Sequence, residues 1–335
     1  MKTGSQVPFC PILCSLIIVV SMAACSPVPL SHGSGSDLTV LTLNLHTYQE
    51  LRASESKESE LTDERALQRV AAYGVIFDRI AAGIDRLDPD IICLQEVGEW
   101  SGRKHAAADA VEFGASDTNM VHQILSRLGD RRYHYTMDWS HYGWNVWLEG
   151  SAILSKFPLR STESRFISNP ANDTRDNWKS RNVPLAKIDV PELGSVAIFS
   201  VHAGWWDDPT DPFQEQYERL LQWAAETTEP AAATILCGDF NVAAAGPGYA
   251  FMTQGTGYSD QYALANPGGM LDATVAGGAD GWEDASAGPR IDYILMNESS
   301  PLEVVRARRV FTDEYLGRVS DHVGVYAEFV ISSAR

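Results

Sequence analysis

Positive charge is scarce in this 335-residue chain. The sequence has 26 lysine and arginine residues against 44 aspartate and glutamate residues, so its formal net charge is -18. A field of this sign repels polyanions such as DNA and membranes rich in acidic lipids, and we do not expect nucleic acid to be a partner. A small phosphorylated substrate remains compatible with this charge, because a bound divalent cation reverses the local field of an acidic pocket.

Cysteine is also rare, with five residues in the whole chain. Cys10, Cys14 and Cys25 fall within the first 25 residues, which leaves Cys93 and Cys237 for the rest of the protein. No spacing of cysteine and histidine typical of a zinc site is present. A disulfide between Cys93 and Cys237 stays open, but each lies in an apolar run, so buried free thiols are the simpler expectation.

The N-terminus carries a short apolar stretch, residues 11–24, that is too short to span a bilayer comfortably. It ends in Met22-Ala-Ala-Cys25-Ser, which resembles a bacterial lipoprotein signal. The resemblance implies cleavage before Cys25 and lipidation of that cysteine, with the protein held on the extracytoplasmic face of a bacterial membrane. A plain secretory signal is the alternative interpretation.

These features predict three segments. Residues 1–24 are expected to be a lipoprotein signal peptide, residues 25–37 a flexible tether, and residues 38–335 one globular domain. No internal repeat divides the third segment, and we expect a monomer.

The end of one apolar run is the most informative local feature. Residues 233–237 read as a buried strand that stops at Gly238, and a carboxylate and a carboxamide follow at Asp239 and Asn241. In an extended chain these two side chains lie on the same side. The pattern alone is equally compatible with a strand that ends in a turn stabilised by Asp and Asn side chains.

The same event recurs elsewhere in the chain. Further apolar runs end on, contain or follow polar residues of the kinds used in catalysis: Asn44, Glu96, His202, Asp292 and the pair Asp321 and His322. Each of these alone has an ordinary structural explanation as a cap, a strand end or a turn. Together they predict one rim of a sheet structure that is rich in catalytic side chains.

The remaining pattern predicts a layered α/β protein. Residues 64–87 have helical apolar spacing between the first two strands, and residues 106–128 contain a second helical stretch. An aromatic loop is expected over residues 139–147, and glycine-rich loops over residues 246–281.

At the strand ends the sequence resembles the endonuclease/exonuclease/phosphatase superfamily of metal-dependent phosphoesterases. The resemblance implies a four-layer α/β/β/α sandwich of two mixed β-sheets with outer helices, and an active site at one end of it. The matching stretches occur in the family's order and are Leu-Thr-Leu-Asn44, Cys-Leu-Gln-Glu96-Val, Ala-Ile-Leu-Ser155, Val-His202, Gly-Asp239-Phe-Asn241, Ile-Asp292-Tyr-Ile and Ser-Asp321-His322.

The resemblance also implies a metal cofactor, Mg²⁺ or alternatively Mn²⁺. Glu96, with Asn44 nearby and Asp321 on the same side, would hold this hard cation through oxygen ligands. His46 stands where some nuclease members carry an acidic metal ligand, which argues against a nuclease-like metal arrangement. It is expected to face the substrate or to pack.

The same resemblance assigns catalytic parts. Asp239 would activate or orient the attacking water, and Asn241 would hold the phosphoryl oxygens. His202 and His322 would donate to the charge that develops on phosphorus, and Asp292 would fix the tautomer and charge of His322.

The loops resemble those of a bacterial subgroup that includes maltose 6-phosphate phosphatase, so a small organic phosphate of the sugar type is the expected substrate. Aromatic faces suit sugar rings, and the planar guanidinium of arginine suits phosphate. A phosphodiesterase of the sphingomyelinase or nuclease type, and a non-catalytic carbohydrate-binding lipoprotein, remain as alternatives. The expected substrate-binding residues are His46, His141, Trp144, Arg181, Trp205 and Trp206.

Overall fold

The computed structural model describes residues 36–51, 61–100, 118–129, 133–227, 233–277 and 288–332, together with residues 1, 279 and 282. The expected signal peptide and the lipidation site at Cys25 lie outside these residues. Within the described part, no helix is long and apolar enough to cross a membrane.

Within the described residues, twelve strands, numbered β1 to β12 in chain order, form two six-stranded sheets. The first sheet has the order β11-β12-β1-β2-β4-β3, in which β1 and β2 are parallel and the other neighbours are antiparallel. Its strands are β1 (Leu38–Asn44), β2 (Ile91–Trp100), β3 (His134–Gly143), β4 (Trp147–Ser155), β11 (Leu302–Val310) and β12 (Gly324–Ile331).

The second sheet repeats this plan. Its order is β5-β6-β7-β8-β10-β9, and β7 and β8 are its parallel pair. Both sheets are therefore mixed, as the family resemblance implies. Its strands are β5 (Leu159–Phe166), β6 (Asn182–Val190), β7 (Gly194–His202), β8 (Ala233–Asp239), β9 (Tyr258–Asp260) and β10 (Asp292–Asn297).

Alternation along the strands separates the core into layers. Val40 and Ile235 belong to a cluster between the two sheets, whereas Leu41 and Leu236 point outward to the helices. The result is a four-layer α/β/β/α sandwich, which confirms the predicted fold class. The helices are α1 (Asp63–Ala72), α2 (Gly74–Leu87), α3 (Met120–Leu125), α4 (Phe213–Thr227), α5 (Pro247–Thr253) and α6 (Gln261–Ala265).

The predicted single helix over residues 64–87 is in fact two helices. Tyr73, with ψ at -9°, ends α1 and precedes α2, and its hydroxyl accepts a hydrogen bond from the Glu50 amide at 2.6 Å. Gly74, the first residue of α2, follows directly, and glycine disfavours the interior of a continuous helix. Of the second predicted helix, residues 106–117 lie outside the described part, and α3 lies in the remainder.

The predicted aromatic loop over residues 139–147 was wrong. Strands β3 and β4 form a hairpin there, with only residues 144–146 in the turn. The aromatic side chains alternate as strand residues do, and Trp139 and Trp147 are buried in the core under the helices. The predicted glycine-rich loops over residues 246–281 likewise contain α5, β9 and α6.

Cys93 and Cys237 are free thiols and lie buried in the cluster between the sheets. Burial, together with the neighbouring Cys237 thiol, raises the pKa of Cys93 well above its ordinary value. These cysteines therefore behave as small apolar core residues.

Candidate active site

The two parallel strand pairs bring polar side chains to one rim. Parallel neighbours end at the same edge, so β1 and β2 present Asn44 and Glu96, while β7 and β8 present His202 and Asp239. Asn44 joins the two sheets, because its Nδ2 donates to Glu96 Oε1 at 2.8 Å and to Asp239 Oδ2 at 3.1 Å. The strand ends thus form one cluster rather than separate caps.

Glu96 owes its direction to a β-bulge. The pairing of β2 with β4 shifts register between Leu94 and Val97, and Glu96 has φ at +46°, in the left-handed region. The sequence pattern predicts that this strand ends at Glu96, but β2 continues to Trp100. The bulge turns the Glu96 carboxyl toward Asn44 and the rim.

Asp239 lies at the centre of the cluster. Its Oδ1 accepts from the Asn241 amide at 2.9 Å, and Asn241 Nδ2 donates to the carbonyl of Ala203 at 3.0 Å. Burial, and then the Asp292 carboxylate, raises the pKa of Asp239 to about 7, although the His322 ring opposes this. Near neutral pH this group can therefore exchange a proton with a bound molecule.

His322 is paired with Asp292. Asp292 lies opposite Asp239 across β10 and β8, and its Oδ2 accepts from His322 Nδ1 at 2.9 Å. Burial alone would lower the pKa of His322, but the carboxylates of Asp292 and Asp239 raise it well above its ordinary value. His322 Nε2, 3.8 Å from Asp239 Oδ2, is thereby held as a donor on the rim.

His202 has the opposite character. Its Nε2 lies 3.8 Å from Glu96 Oε1 and 3.9 Å from Asp239 Oδ2, beyond hydrogen-bonding distance. Burial, and then the positive charge of Arg181, lowers its pKa well below the ordinary value. His202 is therefore a neutral imidazole, in contrast to His322.

A cavity of about 660 Å³ opens over this cluster. Asn44 and Asp292 support the cluster through hydrogen bonds to cavity residues. Most of the predicted site residues line the cavity: His46, Glu96, His141, Trp144, Arg181, His202, Trp205, Asp239, Asn241, Asp321 and His322.

Trp206 is placed differently from the prediction. Its ring packs against Phe213 and Phe251 and lies over Gly248, where an added Cβ would come within 2.8 Å of the indole. The side chain therefore closes the core on the helix side of the second sheet, while its neighbour Trp205 lines the cavity.

Sequence reasoning missed Glu149, which faces His141 across the β3–β4 hairpin. Glu149 Oε1 lies 3.1 Å from His141 Nε2, and its Oε2 accepts from Thr47 Oγ1 at 2.9 Å. Thr47 Oγ1 also contacts the backbone carbonyl of Glu96. Burial would raise the pKa of Glu149, but the His141 ring outweighs it and lowers the value to about 2. The pair is a fixed hydrogen-bonded element in the cavity wall.

The comparison with family models decides the classification. Residues 75–322 match the model of the endonuclease/exonuclease/phosphatase family. The chain belongs to this family. Members are metal-dependent hydrolases of phosphoric esters, so the protein is an enzyme of that class.

Several solved structures share this fold. A family member from Leptotrichia buccalis has a TM-score of 0.67 at 22% identity and covers 87% of this chain and 99% of its own. A mannosyl-6-phosphatase from Bacteroides thetaiotaomicron has a TM-score of 0.55 at 18% identity, and the match covers 88% of this chain and 99% of the phosphatase. The human nocturnin catalytic domain has a TM-score of 0.56 at 20% identity, and the match covers 91% of this chain and 96% of that domain. No curated protein matches the chain.

The side chains of this family member fit a hard divalent cation. Glu96 and Asp321 offer carboxylate oxygens, the ligands such ions prefer. Burial, and then the neighbouring Glu149, raises the pKa of Glu96 to about 8, because a buried carboxylate loses its hydration and is repelled by a second carboxylate. A divalent cation would stabilise the charged form of Glu96. Glu96, His202 and Asp239 bring ligand atoms within 4.8 Å of one another.

Asn44 does not present the ligand oxygen that the sequence predicts. The backbone amide of His46 donates to Asn44 Oδ1 at 3.0 Å, which fixes the orientation of the carboxamide. The Nδ2 donor therefore faces the two carboxyl groups. Asn44 holds Glu96 and Asp239 in place rather than offering oxygen to a metal.

His46 faces both the cavity and the acidic edge. Its Nδ1 lies 2.7 Å from Glu50 Oε1 and 3.2 Å from Asp321 Oδ1, and its ring packs edge-to-face against the Trp144 ring. Burial lowers its pKa, but the hydrogen bond to Glu50 and the carboxylate of Asp321 outweigh this and raise it to about 9. A charged imidazolium thus lies beside Asp321, where the resemblance leads one to compare this position with an acidic metal ligand.

Proposed function

We propose that this enzyme is a Mg²⁺-dependent phosphatase that hydrolyses a small organic phosphate of the sugar type. The observation that carries the proposal is the composition of the cavity: a buried arginine and two histidines surround Asp239, and aromatic side chains form the walls. The similarity to a mannosyl-6-phosphatase supports the substrate class. The net charge of -18 disfavours a polyanionic substrate.

In this proposal Asp239 accepts a proton from the attacking water. The water oxygen forms a bond to phosphorus as the bond from phosphorus to the ester oxygen breaks, in line with the attack, and the ester oxygen leaves as the alcohol after it takes a proton from solvent. His202 and His322 donate to the phosphoryl oxygens as their charge grows, and Asp292 keeps His322 in the charged, oriented form. Asn241 lies beside Asp239 to hold the phosphoryl group.

The metal would be held by Glu96 and Asp321. Mg²⁺, or Mn²⁺ in its place, would when bound neutralise charge on the phosphoryl group. Arg181 adds a cation from the protein itself, on the wall of the same cavity.

We further infer that Cys25 is lipidated and that the catalytic domain is held outside the cytoplasm on a bacterial membrane. The support is the Met22-Ala-Ala-Cys25-Ser pattern after a short apolar stretch. In cells fed labelled palmitate, the protein should take up label and a Cys25→Ser variant should not. Equal labelling of the two would contradict the inference.

The function is tested by phosphate release from a panel that holds hexose 6-phosphates, a choline phosphodiester lipid and plasmid DNA. The purified enzyme is assayed with Mg²⁺ or with EDTA, beside the Asp239→Asn variant. We expect release from the sugar esters alone, which EDTA and the substitution both abolish. Cleavage confined to the lipid or to DNA would overturn the substrate class, and binding of sugar without any turnover would favour a binding protein.

A further inference from the structure

Trp178 is a large apolar side chain exposed at the edge of the cavity. Trp178 lines the cavity, yet 53% of its surface is exposed. Burying the large face of an indole ring is strongly favourable, so an exposed ring at the edge of a cavity is available to stack on a ligand. Neither the metal site nor the reacting groups described above require this residue.

The ring of Trp178 is held in position despite its exposure. It lies 5.7 Å from the ring of Trp205, and Lys179 Nζ lies 5.4 Å from its centroid. Lys179 is itself fixed, because its Nζ pairs with Asp208 at 2.6 Å and donates to Thr210 at 2.8 Å. An aromatic ring that is both exposed and fixed loses little entropy when a ligand stacks on it.

Trp144, from a different element, adds a second aromatic wall. It occupies the tip of the β3–β4 hairpin with φ at +48°, and Asn145 follows at +67°. Turns of this kind favour asparagine and glycine, so a tryptophan there carries backbone strain. Its indole lies edge-on to His46, beside the acidic edge of the cavity. Strain of this kind is characteristic of ligand-contacting positions.

Arg181 connects this aromatic rim to the phosphate end of the cavity. It lies three residues after Trp178, and its Nη1 donates to the Trp178 carbonyl at 2.8 Å. The guanidinium carbon of Arg181 lies 5.7 Å from the centroid of the Trp205 ring, and that ring lies 5.7 Å from the Trp178 ring. A ligand whose phosphate meets Arg181 therefore has these two indole rings in its neighbourhood.

We infer that Trp178 and Trp144 form a stacking subsite for the organic group of the substrate, and that Trp178 selects phosphate esters in which a compact ring with an apolar face lies next to the phosphate. This inference rests on the proposed phosphatase function and names the substrate class more closely. Hexose 6-phosphates belong to that class, whereas glycerol 3-phosphate has the same kind of phosphate ester without a ring.

The test compares Trp178→Ala and Trp178→Phe on a hexose 6-phosphate and on glycerol 3-phosphate. We expect Trp178→Ala to raise KM for the hexose ester by about tenfold with kcat nearly unchanged, the loss of one stacking contact. KM for glycerol 3-phosphate should stay within about twofold, and Trp178→Phe should keep most of the discrimination. Leu264→Ala, at a residue with 59% exposure in α6, is the surface control and should change neither substrate.

Equal losses on the two esters, or no loss on either, would overturn the inference, because a residue that only shapes its loop does not distinguish a ring from a short chain. If the wild-type enzyme hydrolyses neither ester, the proposed phosphatase function is refuted, but the inferred subsite is not yet tested by the kinetics. Calorimetric binding of the hexose 6-phosphate to the wild-type protein then decides the inference. Binding that Trp178→Ala weakens supports the subsite, and binding that is absent or unaffected refutes it.

Discussion

Arg181 is a buried cation, 2% exposed, with no carboxylate within ion-pair distance among the described residues. Its Nη1 donates to the carbonyls of Trp178 and Ser180, and its Nε has no partner in that part of the chain. Burial lowers its pKa, although nearby carboxylates, Glu149 first among them, act in the opposite direction. We predict that Arg181→Met removes activity without removing stability.

The magnitude follows from two opposing contributions. The substitution loses two charged hydrogen bonds, each worth about 1.5–3 kcal/mol, and it also removes a desolvation penalty of several kcal/mol. The free energy of unfolding should therefore change by less than about 1 kcal/mol. A phosphate that loses one or two charge-assisted hydrogen bonds should lose about 3 kcal/mol of transition-state stabilisation, which is about 100-fold in kcat/KM.

Arg290→Met is the matched control. Arg290 is equally buried, but its Nη2 pairs with Asp260 Oδ2 at 2.7 Å and its guanidinium lies 4.6 Å from the ring of Tyr293. Removing one partner of a buried pair should cost about 3–5 kcal/mol. Urea unfolding and steady-state kinetics are measured for both variants. Equal destabilisation of the two, or full activity in Arg181→Met, would refute the reasoning.

Three further predictions concern single carboxyl groups. Asp292→Asn should lower kcat by about 10³ or more with little change in KM, because His322 loses its orienting carboxylate; steady-state rates check this, and a loss below tenfold would contradict it. Glu96→Gln should raise the Mg²⁺ concentration for half-maximal activity by at least about tenfold, and an unchanged Mg²⁺ titration would argue against a ligand. Glu149 has a lowered pKa of about 2 against an ordinary 4.5, so its pairing with His141 stabilises the fold above pH 4.5 and this stability is lost as the pH falls toward 2. Urea unfolding of Glu149→Gln should show a flatter acid limb, and parallel curves for the two proteins would count against this.

The pattern of strand ends was enough to predict where Asp239 and His202 would meet. Alternation gives the side of each strand on which a residue lies, and parallel pairing brings the ends of β7 and β8 together. Glu149 could not be found in this way, because it lies within β4 and gains its partner only through the hairpin register that sets it opposite His141. Trp205 and Trp206 could not be separated either, since consecutive loop residues give no period from which to assign a face.

The sequence by itself determined the layered architecture and the chemical types at the rim, because apolar periodicity and the residues that end it are local properties of the chain. Only the tertiary structure decided which way Asn44 turns, that Arg181 has no ion partner among the described residues, and that Trp178 stands open beside the cavity. These features depend on residues far apart in sequence that meet across the two sheets or between loops. Their contacts are set by register and packing, which no local pattern encodes.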